Sequence, residues 1–390
     1  MTAFSRRRWD PTFPRSEEEV ELEESTGPEE ISGARRKPGV RQPTDAFGER
    51  PGYQRPDYAF HAAAWTLASS FGRYAYSAER PEGTRGARFD DLPPYRTDDK
   101  ETLTLYVKKA ARLFGASLTG ITKLNSLWLY QDEDEDDPVA ADEQALARRP
   151  SKAGRPATDG RIAELPPEID TAVVMAIEMD YDLLATSPSA RASAAVGNGY
   201  SRMVFTACCL AEFLRNLGFK AIACGNDTAL SIPLAIDAGL GELGRNGLLI
   251  TAKFGPRVRL CKVLTDAPLV IDEPTQFGVR RFCEACKKCA TTCPPGAITE
   301  GEMISEGVCK SNNPGILKWY VDVEKCLNFW RHNRISCANC IRSCPFNKPQ
   351  YLMHDAARFF ISANSGVIDW TLVKIDDALG YGEQKSVDGL

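Results

Sequence analysis

Eight cysteines in two groups carry the first chemistry legible in the chain. Cys283, Cys286, Cys289 and Cys293 stand as C-x2-C-x2-C-x3-C before Pro294, the run with which bacterial ferredoxins hold cubane clusters. Cys326, Cys337, Cys340 and Cys344 form a second set with the same ending before Pro345, its first spacing widened to ten residues. Three closely spaced thiolates take three iron corners of one cube, and the fourth, followed by Pro, is directed to another. The crossed logic of two-cluster ferredoxins assigns one [4Fe-4S] cluster to Cys283, Cys286, Cys289 and Cys344, and the other to Cys326, Cys337, Cys340 and Cys293. Zinc also uses C-x2-C pairs, but two C-x2-C-x3-C-P endings are hard to arrange around one tetrahedral ion. A purely structural cluster is the other bland reading. Two adjacent clusters make a conducting pair, so electron transfer is the default. Cys208, Cys209, Cys224, Cys261 and Cys309 sit mostly in apolar patterns and read as small core residues.

The elements that must position these thiols come from a chain of 390 residues, 43% hydrophobic and 26% charged, enough for two or three domains with a sizeable core. The formal charge of -5 supplies no basic stripe, so no nucleic-acid partner is expected. Cysteines clustered at ligand spacing imply metal ligation in a reducing or anaerobic setting rather than a disulfide scaffold. No apolar run is long enough for a membrane-spanning helix. Arg6, Arg7 and Arg8 invite comparison with a twin-arginine export signal, but Pro14, the acidic run from Glu17 to Glu24 and Pro28 leave no apolar stretch behind them. A cytoplasmic location is expected, with the exported face of the cytoplasmic membrane as the alternative if a signal has been lost from the N-terminus.

Residues 1–55 read as a disordered, charged leader. Residues 56–275 form the expected catalytic core. It holds helices at 59–74, 102–114 and 201–217, strands at 120–124, 172–179, 219–224 and 258–264, and a solvated acidic insertion at about 131–161. In the 102–114 helix, Leu103, Tyr106, Val107, Ala110, Leu113 and Phe114 make the expected buried stripe. Residues 276–350 are the two-cluster module, too small for its own apolar core, so that the clusters must serve as one. Residues 351–390 are a helical extension expected to pack on the core, with helices at 355–361 and 371–379.

A ferredoxin module needs far fewer residues than this chain has, so the part before Phe282 must hold the electron acceptor. It contains no G-x-G-x-x-G fingerprint and no Walker-type phosphate loop. His61, His332 and His354 stand in no zinc, haem or corrinoid motif. Four segments do form a familiar combination: 225–235 (GNDTALSIPLA), 238–251 (AGLGELGRNGLLIT), the ferredoxin run, and 312–320 (NNPGILKWY) before Cys326. Together they resemble the corrinoid-dependent reductive dehalogenases, over a stretch from about Tyr58 to the Gly380-Tyr381-Gly382 end.

That resemblance implies an α+β fold: a nitroreductase-like, cobalamin-binding α/β core with a C-terminal ferredoxin-like domain holding two [4Fe-4S] clusters. It implies base-off cobalamin buried between them and reductive removal of halide from an organohalide, through attack by Co(I), electron resupply by the clusters and a proton donor above the corrin. An external donor such as a ferredoxin, a flavodoxin or a membrane-linked reductant would supply the electrons. The family's proton-donor tyrosine falls on Tyr200, its neighbouring amide on Asn226 and its basic residue on Arg259. An ordinary phenol titrates near 10 and holds its proton at neutral pH, whereas a nearby guanidinium stabilises tyrosinate.

By residue type alone, Tyr200 is a helix-terminal aromatic, Asn226 an Asx-turn residue and Arg259 a surface strand charge; the resemblance reverses those readings. Arg257 competes with Arg259, because strand alternation puts both on one face. Gly239, Gly241, Gly244 and Gly247 suggest a loop letting backbone approach a large planar ring, or an ordinary glycine-rich connection. Ser231, Glu242 and Asn246 are candidates to bond the corrin amides. Trp330 is a candidate wall of the substrate pocket, or plain packing. Two other readings stand beside the dehalogenase. An epoxyqueuosine-reductase-like enzyme would predict a basic surface and a carboxylate acid, and a ferredoxin-type electron-transfer subunit would need no cobalamin.

Overall fold

A computed structural model describes residues 98–130, 165–349 and 366–387 of the chain. The expected leader, the 59–74 helix, the acidic insertion and the 355–361 helix lie outside these described residues.

The core is built on four strands, β1 (Leu118–Lys123), β2 (Thr171–Glu178), β3 (Ala221–Cys224) and β6 (Val258–Thr265), in the order β1-β2-β6-β3, while β4 (Glu242–Leu243) and β5 (Leu249–Ile250) form a separate two-stranded sheet. Every pairing is antiparallel. Both faces are nonetheless covered, which explains why β2 reads as an unbroken apolar run rather than an alternating one. Val173, Met175 and Ile177 meet α1 (Lys100–Leu113) and α3 (Ala190–Asn216), which follows the short α2 (Tyr181–Ala185), on one face. Ala172, Val174 and Ala176 meet Leu234 and Ala235 of α4 (Ser231–Asp237) on the other.

Two helices differ from their sequence reading. In α1 the buried set is Leu103, Thr104, Val107, Ala110 and Ala111, while Tyr106 and Leu113 face solvent. Residues 104 and 111 flank one side of the apolar stripe and 106 and 113 the other, so the pattern is compatible with either rotation. The sheet accepts the side that carries the small Ala111. Helix α3 begins at the Ser189 cap, whose hydroxyl accepts from the Ala192 N–H at 3.1 Å, three turns before the expected start at Ser201. Gly197 and Gly199 lie within it, tertiary packing overriding their poor helix propensity. Tyr200 is therefore an interior helix residue rather than a terminal one.

After β6 the chain forms the cluster module, with α5 (Val279–Ala285), α6 (Lys288–Thr291), α7 (Val323–His332) and α8 (Asn339–Arg342). The expectation that clusters alone make its core is corrected. Val279, Phe282, Trp319 and Phe346 form an apolar cluster completed by Ile250, a core residue, and Val373. Ser187, ahead of α3, ties the module to the core: its hydroxyl donates to Asn339 Oδ1 at 2.8 Å and accepts from the Ala338 N–H at 2.8 Å.

The C-terminal helix α9 (Gly366–Ala378) docks on this module and not, as expected, on the core. Buried Asp369 receives Arg281 at 2.8 Å, and Asp376 receives Lys288 at 2.6 Å and also Lys348. The residues after the helix reach the core, where Lys385 N–H donates to Ala185 O and Arg191 to Val387 O. No helix among the described residues is long and apolar enough to cross a membrane.

Candidate active site

The eight cysteines separate into two sets. Cys283, Cys286, Cys289 and Cys344 line one cavity with Phe282, Ile250 and Phe346. Burial pushes the Cys283 thiol up to about 11 and the Cys286 thiol to about 12, and drives Cys344 well above the ordinary range, its three companions adding to the rise. Burial likewise raises Cys326 to about 12 and drives Cys340 well above the ordinary range; Cys337 and Cys293 neighbour both, and Cys289 of the first set also reaches Cys340. All eight are free. A cationic cluster that displaces the thiol protons suits such sites. Arg342 Nε and Nη1, in the last turn of α8, are buried without a protein acceptor, and the Cys337 thiol is the group that favours their charge. Donors left over beside thiols fit a cluster whose sulfides accept hydrogen bonds. Arg245 flanks the first set: buried, it donates to Cys283 O at 3.0 Å and stacks on Trp319 at 4.4 Å.

Tyr200, Asn226 and Arg259 come together from three elements. Asn226, in the turn after β3, donates its Nδ2 to the Tyr200 hydroxyl at 3.2 Å. The Arg259 guanidinium lies over the Tyr200 ring, 4.8 Å from its centroid. Its path requires Gly199, where an added Cβ would stand 2.9 Å from Arg259 Cγ. Arg259 Nε is buried without an acceptor.

Arg257 is separated from this site by the structure. It precedes β6, is 2% exposed, and donates to Glu178 Oε1 at 2.5 Å, Met179 O at 2.7 Å and Asn347 Oδ1 at 2.9 Å. Strand alternation does not govern a residue outside the strand, so its role is to hold β2 to the cluster module. Tyr200 and Cys340 pack against one shared group built on Met179, Leu184, Val196 and Ile341. The site thus lies at the junction of core and cluster module.

The remaining candidates are placed differently. A Cβ at Gly239 would meet Glu273 O at 2.4 Å, one at Gly241 would meet Ile250 O at 2.1 Å, and one at Gly244 would meet the Ile250 side chain at 2.8 Å. The close approach that requires these glycines is to this chain's own atoms. Glu242 Oε1 accepts from the N–H groups of Phe277 and Val279 ahead of and within α5. Asn246 donates to Cys340 O at 3.3 Å and accepts from Leu248 N–H. Ser231 Oγ lies 3.1 Å from Lys262 Nζ, which donates to it. Trp330 stands one turn beyond Cys326 on α7, beside Val323 and Leu327. Sequence reading missed Gly199, Lys262 and Arg342. The first falls ahead of the expected helix start, and the other two carry nothing that separates them from surface charges.

Residues 282–347 match the family described as a 4Fe-4S double cluster binding domain. The tetrachloroethene reductive dehalogenase of Sulfurospirillum multivorans is 37% identical over 352 residues, covering 86% of this chain and 70% of that protein. The chain belongs to the reductive dehalogenases. A second relative among these dehalogenases, the tetrachloroethene enzyme of Desulfitobacterium hafniense, is 39% identical over 306 residues, and there the chain spans 55% of the relative's length. A catabolic reductive dehalogenase solved with 3-bromo-4-hydroxybenzoic acid shares the fold at a TM-score of 0.64 and 23% identity, covering 83% of this chain and 42% of that one. The epoxyqueuosine reductase of Escherichia coli is 35% identical over 120 residues, only 30% of this chain.

Proposed function

We propose that this chain is the catalytic subunit of a reductive dehalogenase that takes up two electrons and a proton to replace halogen by hydrogen in an organohalide. The observation that carries the reading is the Tyr200 hydroxyl held at 3.2 Å by Asn226 under the Arg259 guanidinium, in a side chain that packs on the same apolar group as Cys340. A phenol beside a cation, at the edge of a cluster module, suits proton delivery coupled to electron supply. The exposed Asn226 amide and the unused Arg259 Nε leave polar groups facing the junction where a base-off corrinoid would be held. When bound, a corrinoid would supply low-valent cobalt able to reduce the carbon–halogen bond.

The chain's own residues do the rest. Asn226 donates to the phenolic oxygen, so in this contact the Tyr200 hydroxyl is the acceptor and keeps its own proton to deliver to carbon. The tyrosinate left behind keeps the Asn226 bond and gains the attraction of Arg259 across its ring. Cys293, Cys326, Cys337 and Cys340 hold the cluster nearer this site, and Cys283, Cys286, Cys289 and Cys344 the other. Electrons come from an external ferredoxin, flavodoxin or membrane-linked reductant.

Anaerobically reconstituted protein is expected to contain about eight iron and one cobalt per chain, and reduced dye is expected to drive halide release from at least one of a set of aryl, alkenyl and alkyl halides. Tyr200→Phe should retain both metals and lose turnover by about a hundredfold or more. Full activity in that variant removes Tyr200 from the mechanism. Protein devoid of cobalt from a corrinoid-replete host would leave an electron-transfer subunit.

A further inference from the structure

Strand β6 sends two cations to opposite faces of the sheet. Arg259 lies on the α3 face over Tyr200. Lys262 lies on the other and is 0% exposed. Register sets Lys262 opposite Cys224, the last residue of β3, so its ammonium sits beneath the first peptide of the following turn. There Nζ donates to Gly225 O at 2.7 Å and to Ser231 Oγ at 3.1 Å. The groups around it are the Cys224 and Cys261 thiols, both pushed to about 12 by burial, and the Asp227 carboxylate. Burial pulls the lysine below its ordinary range, and those groups oppose the shift.

The turn it supports is a strained one. Thr228 has φ 64, a conformation costly for a β-branched residue. Asp227 closes the turn by accepting from Gly225 N–H at 2.7 Å and from the Thr228 hydroxyl at 3.0 Å. Asn226 is the exposed residue at its apex, and its amide reaches Tyr200. An apolar side chain of similar volume would fill the space under this turn without the penalty of burying an ammonium. The charge is therefore best explained by what it fixes.

We infer that Lys262 is a positioning residue: it pins the Gly225 carbonyl and Ser231 so that the strained turn presents the Asn226 amide to the Tyr200 hydroxyl. The inference rests on the proposed roles of Tyr200 and Asn226. The test is Lys262→Met in the metal-loaded enzyme, alone and combined with Asn226→Ala. Halide release is measured with whichever organohalide the wild type turns over, and amide hydrogen exchange is followed across residues 225–230.

Lys262→Met should lower kcat about tenfold, the effect of losing one well-placed hydrogen bond, with KM, iron and cobalt unchanged. In the Asn226→Ala background it should lower kcat no further. Exchange at 225–230 should rise while β3 and β6 stay protected. Lys262→Gln, which is smaller and keeps an N–H donor, should give a lesser loss with the same dependence on Asn226, and it replaces Lys262→Met should that variant not fold. Equal losses in both backgrounds, an unchanged kcat, or a turn that exchanges as in the wild type would each overturn the inference. If the wild type releases no halide, the proposed function fails, and the exchange measurement alone still decides whether Lys262 holds the turn.

Discussion

Two arginines two residues apart are expected to fail in different ways. Arg257→Met strips a charged donor from the buried Met179 carbonyl and Asn347 amide oxygen and breaks the pair with Glu178. Breaking a buried pair from one side costs about 3–5 kcal/mol. The Glu178 side chain is 34% exposed and its share is screened by solvent, which leaves the lower end, about 3 kcal/mol. For a domain of this size that lowers the melting temperature by about 6–12 °C. Arg259→Met gives up only its stacking on Tyr200, about 0.5–1 kcal/mol, because its buried Nε has no acceptor to lose. Its melting temperature should stay within about 2–4 °C of the wild type while halide release collapses. Anaerobic calorimetry of the metal-loaded variants beside a halide assay separates the two. Arg257→Met melting with the wild type, or Arg259→Met losing stability but keeping turnover, would refute the division of labour.

Cys344→Ser should damage the cluster held by Cys283, Cys286 and Cys289, with which it shares a cavity, and spare the one at Cys337; loss of the other cluster's electron paramagnetic resonance signal would reverse the crossed assignment. In cluster-free protein the Cys283 and Cys286 thiols stand at about 11 and about 12, above the 9.0 of an ordinary thiol. The unfolded chain releases these protons first. Their contribution to stability is thus fully present below about pH 9 and lost as pH rises through about 11–12, so the denaturant midpoint of cluster-free protein should fall above about pH 9. Iron must also displace these protons, so its uptake should quicken between about pH 7 and about pH 9. A pH-independent uptake rate would contradict protonated thiols.

The cluster ligands were legible because their chemistry is local. C-x2-C-x3-C-P sets thiolate spacing within a few residues, and the crossed pairing follows from the proline-terminated fourth cysteine. The strands were legible because burial on both faces leaves long apolar runs, and β2 and β6 were located to within a residue or so. The start of α3 was not, because Gly197 and Gly199 weigh against a helix locally, while at Gly199 close packing on Met179 and Arg259 leaves no room for a side chain. The stripe of α1 gave the helix but not its rotation, which the sheet chose.

Sequence by itself determined that this chain carries two four-thiol sets, an apolar α+β core and, through its motifs, a tyrosine, an amide and an arginine worth watching. Only the tertiary structure decided that Arg259 rather than Arg257 reaches Tyr200, that the glycines of the 239–244 loop are filled by the chain's own backbone and side chains, and that Lys262 lies under the Asn226 turn. The physical reason is range. Ligand spacing and hydrophobic period are properties of neighbouring residues, whereas which cation meets which phenol depends on strand register and on two elements brought together from distant parts of the chain.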